Sequence, residues 1–157
     1  MSFISIHQYF NKLQIVFLVL LMAPLLTFIV LHVLPEQDQP YAGMVYYVII
    51  PSVAIIDWIM AIITFNKKIK SARIAQGLGA KLDKYFHITI VRYSLLASSG
   101  LILAVGFYLT GNDTFTGIYL ATLFYSAFLW PTGPRVSADL RLKGDEREMV
   151  YFKRDKF

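Results

Sequence analysis

The sequence has no cysteine among its 157 residues. Disulfide bridges, thiolate zinc sites, iron–sulfur clusters and cysteine nucleophiles are therefore excluded. The GxSxG, HExxH, GxGxxG and Walker-type motifs are also missing from the chain. The three histidines stand at positions 7, 32 and 87, whereas a metal site requires clustered ligands. We therefore expect no catalytic, cofactor-binding or metal-ligating residue.

Charged residues are scarce. Asp, Glu, Lys and Arg make up 16% of the chain and hydrophobic residues 57%, whereas a typical soluble domain has about 25% charged and about 45–50% apolar residues. A soluble core of this length has no room for so much apolar surface. The composition therefore predicts a polytopic membrane protein surrounded by the lipid bilayer. The net charge of +5 is then expected from cytoplasmic loops, so it does not indicate a nucleic-acid partner.

Four apolar segments are long enough to cross the roughly 30 Å of hydrocarbon in a bilayer. They cover residues 13–34, 41–65, 85–110 and 114–130. The first is longer than the apolar region of a signal peptide, about 7–15 residues, so we interpret it as a retained span. Pro24 and Pro51 are expected to kink the first two helices. The sequence thus predicts an all-α fold, a polytopic four-helix transmembrane bundle.

The connections between the spans differ sharply in charge. Residues 35–40 contain two acidic residues and residues 111–113 contain one, and neither segment contains Lys or Arg. Residues 66–84 contain six basic residues, and residues 131–157 contain seven. The positive-inside rule therefore predicts that both termini are cytoplasmic, with the protein in a cell inner (cytoplasmic) membrane.

These assignments divide the chain into a transmembrane domain, residues 1–133, and a short cytoplasmic C-terminal tail, residues 134–157. The second helix is expected to extend into the cytoplasm as far as about Ala75. In the tail, apolar residues alternate with charged ones on both sides of Gly144. Such alternation favours a short β-hairpin slightly over a helix.

Two charged residues lie inside the predicted spans, Asp57 and Arg92. Counted at 1.5 Å per residue from the basic middle loop, their depths are ~13 Å and ~12 Å. A lone carboxylate near the midplane costs ~2.5–3.5 kcal/mol, so we expect Asp57 to face Arg92. Such a pair either fixes the helix register or forms an ion, proton or substrate site. Alternatively, Arg92 extends its guanidinium to the cytoplasmic surface.

Small and polar residues share faces of the second, third and fourth spans. Packing these faces together predicts a buried polar network, structural or used in transport, of Asp57, Arg92, Ser99, Tyr119, Thr122 and Ser126. Trp58, next to Asp57, is expected to contact lipid or the core, or to line a cavity.

Three functions are compatible with the sequence. The first is a non-catalytic membrane protein that acts as an accessory, assembly or scaffold component through helix packing and its tail. Its expected partner is another membrane protein or a second copy of the chain. The second is a small oligomeric transporter or proton-coupled carrier that uses Asp57 with Arg92. The third, a membrane enzyme acting on a lipid or quinone, is least favoured because the sequence offers no nucleophile with its base.

Overall fold

Six helices follow one another along the described part of the chain in the computed structural model. The structure describes residues 5–34 and 43–154, without the side chains of residues 44 and 45. The helices are α1 (Ile6–Val33), α2 (Met44–Arg73), α3 (Leu78–Thr110), α4 (Asp113–Phe128), α5 (Gly133–Leu140) and α6 (Gly144–Phe152). The described residues contain no strand, which confirms the all-α prediction for them. The acidic connection at residues 35–40 lies outside them.

Three helices among the described residues are long and apolar enough to cross a membrane. They are α1, α2 from Tyr46 onward, and α3, with 28, 28 and 33 residues in those bounds. At 1.5 Å per residue, these lengths are ~42–50 Å. α4 has 16 residues, or ~24 Å, which is shorter than the ~30 Å of hydrocarbon in a bilayer. The fourth span therefore stays a prediction.

The long helices continue past the apolar segments predicted for them. α1 begins at Ile6, and the Ser5 side chain caps its first turn. α2 ends at Arg73, two residues before its expected end. α3 begins at Leu78, directly after Gly77, whose φ of 80° suits glycine. We call the end of the bundle where α1 begins, α2 ends and α3 begins the basic end.

α3 lies at the centre of the bundle and packs against α1, α2 and α4. Two glycines allow the close approach. A Cβ on Gly100 would lie 3.0 Å from Pro24 of α1, and a Cβ on Gly106 would lie 2.8 Å from both Ile50 of α2 and Phe115 of α4. α1 and α2 barely touch each other, and both expose rows of large apolar side chains. Residues on α3 therefore determine which side chains of the other helices come together.

α5 and α6 close the basic end. Val136 and Val150 are fully buried there and Leu140 nearly so, against side chains of α1, α2 and α3. The hairpin expected for the tail is wrong, because these residues form helices instead. Val136 and Leu140 are four residues apart and share one helix face, and burying that face outweighs the local alternation. Thr132 caps α5, and Pro134 lies in its first turn.

Polar contacts hold the two short helices to the bundle. The Tyr85 hydroxyl donates to Asp139 Oδ2 at 2.8 Å, and Arg73 Nε donates to the Asp139 carbonyl oxygen at 2.7 Å. Lys81 Nζ lies 2.5 Å from Glu146 Oε2, which joins α3 to α6. The described part of the predicted tail is therefore folded onto the bundle.

Candidate functional site

Asp57 lies on α2 at the edge of its contact with α3. On the same helix, Ala54 and Ala61 are buried, whereas Val53 and Met60 are exposed. Asp57 itself is half-buried, and its carboxylate forms no hydrogen bond or ion pair with the described residues. The carboxylate therefore borders the exposed apolar surface of α2.

Arg92 on α3 is half-buried between α2 and α4. Its Nη2 donates a hydrogen bond to the Tyr125 hydroxyl of α4 at 3.1 Å. Its guanidinium carbon lies 4.4 Å from the centre of the Phe65 ring of α2. Its Nε is buried and has no hydrogen-bond partner in residues 5–34 and 43–154. No ion pair within 4.0 Å joins it to Asp57, so the predicted pair is not formed.

The directions of the two side chains explain why Asp57 and Arg92 do not meet. Side chains of a helix tilt toward its N-terminus. α3 begins at the basic end, so Arg92 extends toward that end, whereas α2 begins at the opposite end, so Asp57 extends away from it. Arg92 contacts Phe65, which lies eight residues beyond Asp57, or ~12 Å along α2. The guanidinium therefore lies closer to the basic end than the carboxylate of Asp57 does.

The four uncharged residues of the predicted network are buried, but no continuous network joins them. Ser99 donates to a carbonyl oxygen of α2 at 3.3 Å. Thr122 and Ser126 donate to carbonyl oxygens of their own helix, at 2.9 and 2.8 Å. The Tyr119 hydroxyl has no partner among the described residues, and its ring stacks on Phe28 with centroids 4.3 Å apart. Ser99 therefore links two helices, whereas Thr122 and Ser126 satisfy their hydroxyls within α4.

A cavity of about 320 Å³ lies between α2 and α4, beside α3. We call it the α2–α4 cleft. It is lined by three residues of α2, four of α4 and one of α3: Ala54, Ile55 and Trp58; Gly117, Ile118, Ala121 and Thr122; and Ser99. The Trp58 and Tyr125 rings lie 4.8 Å apart, toward the basic end of the cleft. Trp58 therefore lines a cavity, one of the positions expected for it. Neither Asp57 nor Arg92 is part of the lining.

Two arginines form hydrogen bonds with the part of α4 that lies toward the basic end, Arg92 with Tyr125 and Arg135 with Phe128. Arg135, in α5, donates to a carbonyl oxygen of the last turn of α4. Arg92 and Arg135 both lie close enough to the Tyr93 hydroxyl to interact with it electrostatically, as does Asp139. Asp139 accepts the hydrogen bond from Tyr85, and neither arginine forms an ion pair with a described carboxylate. The two guanidinium groups therefore make this region positively charged.

Several of these neighbours were not expected from the sequence. Phe65 and Tyr125 give no separate signal, because 15% of the chain is aromatic. Arg135 belongs to the segment predicted to be a short cytoplasmic tail. Asp83 and His87, one helical turn apart, were also not expected as a pair, yet Oδ1 and Nε2 lie 4.0 Å apart. Within the part of the chain that the structure describes, no three His, Asp or Glu side chains are grouped to hold a metal ion.

The site as a whole offers binding groups: a guanidinium with an unused N–H donor, aromatic rings and an apolar cleft. An arginine stays protonated in proteins, so it binds anions and does not act as a proton acceptor. No protein-family model, curated protein or solved structure matches the chain.

Proposed function

We propose that the chain is a non-catalytic integral membrane protein that acts as an accessory, assembly or scaffold component of a membrane complex. In this proposal α4, with the residues up to Trp130, crosses the bilayer as a fourth span, and both termini are cytoplasmic. The charge distribution supports this orientation, because residues 66–84 and 131–154 each carry six basic residues at the basic end. An inner (cytoplasmic) membrane fits the same rule.

The observation that carries the proposal is the position of Asp57 on α2. Its neighbours Val53, Ile56 and Met60 are 38%, 55% and 48% exposed, so an apolar surface surrounds the carboxylate. A lone carboxylate at this depth of a bilayer costs ~2.5–3.5 kcal/mol. A helix of another chain that donates a hydrogen bond here removes much of that cost. The exposed side of α2 is therefore suited to pack against a partner helix.

The folded tail supplies a second surface for a partner. Tyr151 and Phe152, at the end of α6, are 42% and 59% exposed. They border a hollow of about 260 Å³ together with Arg147 and Glu148. Aromatic residues and arginine are enriched in protein contact surfaces. This arrangement supports a contact on the cytoplasmic side of the proposed complex.

Photo-crosslinking tests the proposal. A benzophenone amino acid in place of Met60 is expected to crosslink the chain to a partner of constant mass in intact membranes. Asp57→Leu should abolish this product, because it removes the acceptor for the partner's donor. Ser52→Ala is the matched control, because the Ser52 hydroxyl bonds within its own helix, at 2.6 Å. A wild-type chain without such a product, or an Asp57→Leu variant that keeps it, contradicts the proposal.

The transport hypothesis gives a different result at the same position. A carrier that uses the charge of Asp57 loses solute flux in Asp57→Asn. The accessory function predicts that this variant keeps part of the crosslink, because the amide still forms hydrogen bonds. Loss of a solute flux with an intact crosslink would therefore favour transport.

A further inference from the structure

We propose that the α2–α4 cleft binds an acyl chain of an anionic phospholipid whose phosphate is bound by Arg92. The site lies on the side of α2 that carries Trp58. Asp57 lies one residue, or about 100° around the helix, away from it. The proposal is therefore separate from the partner surface around Asp57, and one can fail without the other.

Arg92 has hydrogen-bond donors that the described residues do not use. A guanidinium carries five N–H donors in one plane. Tyr125 accepts one of them, and the buried Nε–H has no acceptor. Phe65 covers a face of the guanidinium by a cation–π contact, so a ligand would approach the edge of the plane that carries the remaining Nη1 and Nη2 donors, because Nε is buried. Two donors on such an edge match two oxygens of a phosphate.

The guanidinium lies at the basic edge of the apolar segment predicted at residues 41–65. It contacts Phe65, and the three residues that follow on α2, Asn66, Lys67 and Lys68, are polar and exposed. Basic residues just outside the hydrocarbon attract anionic lipids. Arg135, near the end of α4, adds positive charge to the same region. The charge on these side chains favours an anionic headgroup over a neutral one.

Two aromatic side chains connect the apolar cleft to this cation: Tyr125 accepts the hydrogen bond from Arg92, and its ring lies 4.8 Å from that of Trp58, which lines the cleft. Its α2 side is formed by Ala54, Ile55 and Trp58, and Ile55 is 52% exposed, so the cleft opens toward the membrane. Its volume of about 320 Å³ lies in the range of small-ligand pockets, ~300–1,000 Å³. On the α4 side, a Cβ added to Gly117 would meet no atom within 4 Å. The space beside α4 therefore accepts a flexible hydrocarbon chain.

A helix of another protein would also fit against Gly117 and Ala121, because small residues four apart favour helix contacts. An apolar helix would leave the donors of Arg92 without an acceptor. An anionic phospholipid can fill the cleft with an acyl chain and also provide phosphate oxygens for Arg92. The apolar cleft and the unused donors of Arg92 therefore both favour this ligand.

Tryptophan fluorescence in liposomes tests the position of the acyl chain. The chain has two tryptophans, so Trp130→Phe leaves Trp58 as the single fluorophore. Phenylalanine keeps an aromatic ring against Phe17, whose centroid lies 5.0 Å from that of Trp130. A small fraction of phosphatidylglycerol with brominated acyl chains is expected to quench Trp58 several-fold more strongly than phosphatidylcholine with the same chains. Equal quenching of Trp58 by the two lipids would overturn the proposal, and this result needs no substitution in the cleft.

Two variants then separate the headgroup contact from the acyl contact. Arg92→Gln should remove the several-fold preference for phosphatidylglycerol and bring the ratio near one, because it removes the charge-assisted hydrogen bonds. Gly117→Leu should lower quenching by both lipids, because its side chain fills the cleft. Arg141→Gln removes an exposed arginine at the end of α5 and should change neither quantity.

Two outcomes count against the proposal. One is an Arg92→Gln variant that keeps the headgroup preference, and the other is a Gly117→Leu variant that is quenched like the parent chain. Circular dichroism checks the fold of each variant. If Arg92→Gln does not fold, the parent chain and Gly117→Leu still decide the question.

Discussion

Gly133, the first residue of α5, lies directly against the last turn of α6. A Cβ at this position would lie 2.6 Å from the carbonyl oxygen of Val150 and 2.8 Å from that of Tyr151. Ordinary contacts of a Cβ begin at 3.4 Å, so Gly133→Ala must move α6 by roughly 0.8 Å. Both contacted atoms belong to the backbone, so a change of side-chain rotamer cannot relieve the overlap. The substitution therefore pushes the two short helices apart.

The displacement disturbs the packing of the buried cluster to which Val136 and Val150 both belong, and both side chains are fully buried. Overpacking of this kind costs ~1–3 kcal/mol. Local opening of α6 should then be roughly 5- to 150-fold more frequent, at a factor of ten per ~1.4 kcal/mol. Hydrogen exchange of the α6 amides in detergent micelles measures this factor.

Gly79→Ala is the matched control, because a Cβ there would meet no atom within 4 Å. It should leave exchange in α6 unchanged. If Gly133→Ala exchanges at the wild-type rate, α6 does not pack on α5 as described.

Tyr85→Phe removes the 2.8 Å hydrogen bond to Asp139, and a bond to a charged acceptor contributes ~1.5–3 kcal/mol. The tail should then separate from the other helices more often, so trypsin should cleave it faster. Single cysteines in place of Ser71 and Thr114 report the orientation of the protein in the membrane. Both positions are exposed, and the natural chain has no cysteine that could react instead. In intact cells an impermeant maleimide should label Thr114→Cys and not Ser71→Cys. Gly106→Ala would place a Cβ 2.8 Å from side chains of α2 and α4 and should lower the melting temperature in detergent, at a cost of ~1–3 kcal/mol.

Matched variants distinguish these effects from general damage. Tyr151→Phe removes an exposed hydroxyl of α6 and should leave cleavage of the tail unchanged. Gly117→Ala adds a Cβ in open space and should not lower the melting temperature. Cleavage of Tyr85→Phe at the wild-type rate would show that its hydrogen bond does not hold the tail. Labelling of Ser71→Cys in intact cells would show that the orientation is opposite to the proposed one.

The three long helices could be predicted from the sequence, because an apolar run of ~20 residues in a bilayer must satisfy its own backbone hydrogen bonds. The first residues of α1 and α3 could not. Hydropathy marks where the hydrocarbon ends, whereas helical hydrogen bonds continue into the polar region. α1 and α3 therefore each begin seven residues before the predicted spans at residues 13 and 85.

The missing pair of Asp57 and Arg92 shows what residue counting leaves out. Counting along a helix gives the depth of a Cα atom, and it gave nearly equal depths for the two residues. The charged groups lie elsewhere, because the two helices run in opposite directions and the arginine side chain is long. In the tail, a short segment fits both the two-residue period of a strand and the 3.6-residue period of a helix. Contacts with helices distant in sequence decide between the two structures.

The central position of α3 affects how the protein is made. A ribosome releases the chain from its N-terminus, so α1 and α2 are synthesised before the helix against which both pack. α1 and α2 barely touch each other, so they have little to hold them together at that stage. Release of the 33 residues of α3 supplies the missing surface. Completion of α3 is therefore the step of translation at which separate membrane-inserted helices gain a common fold.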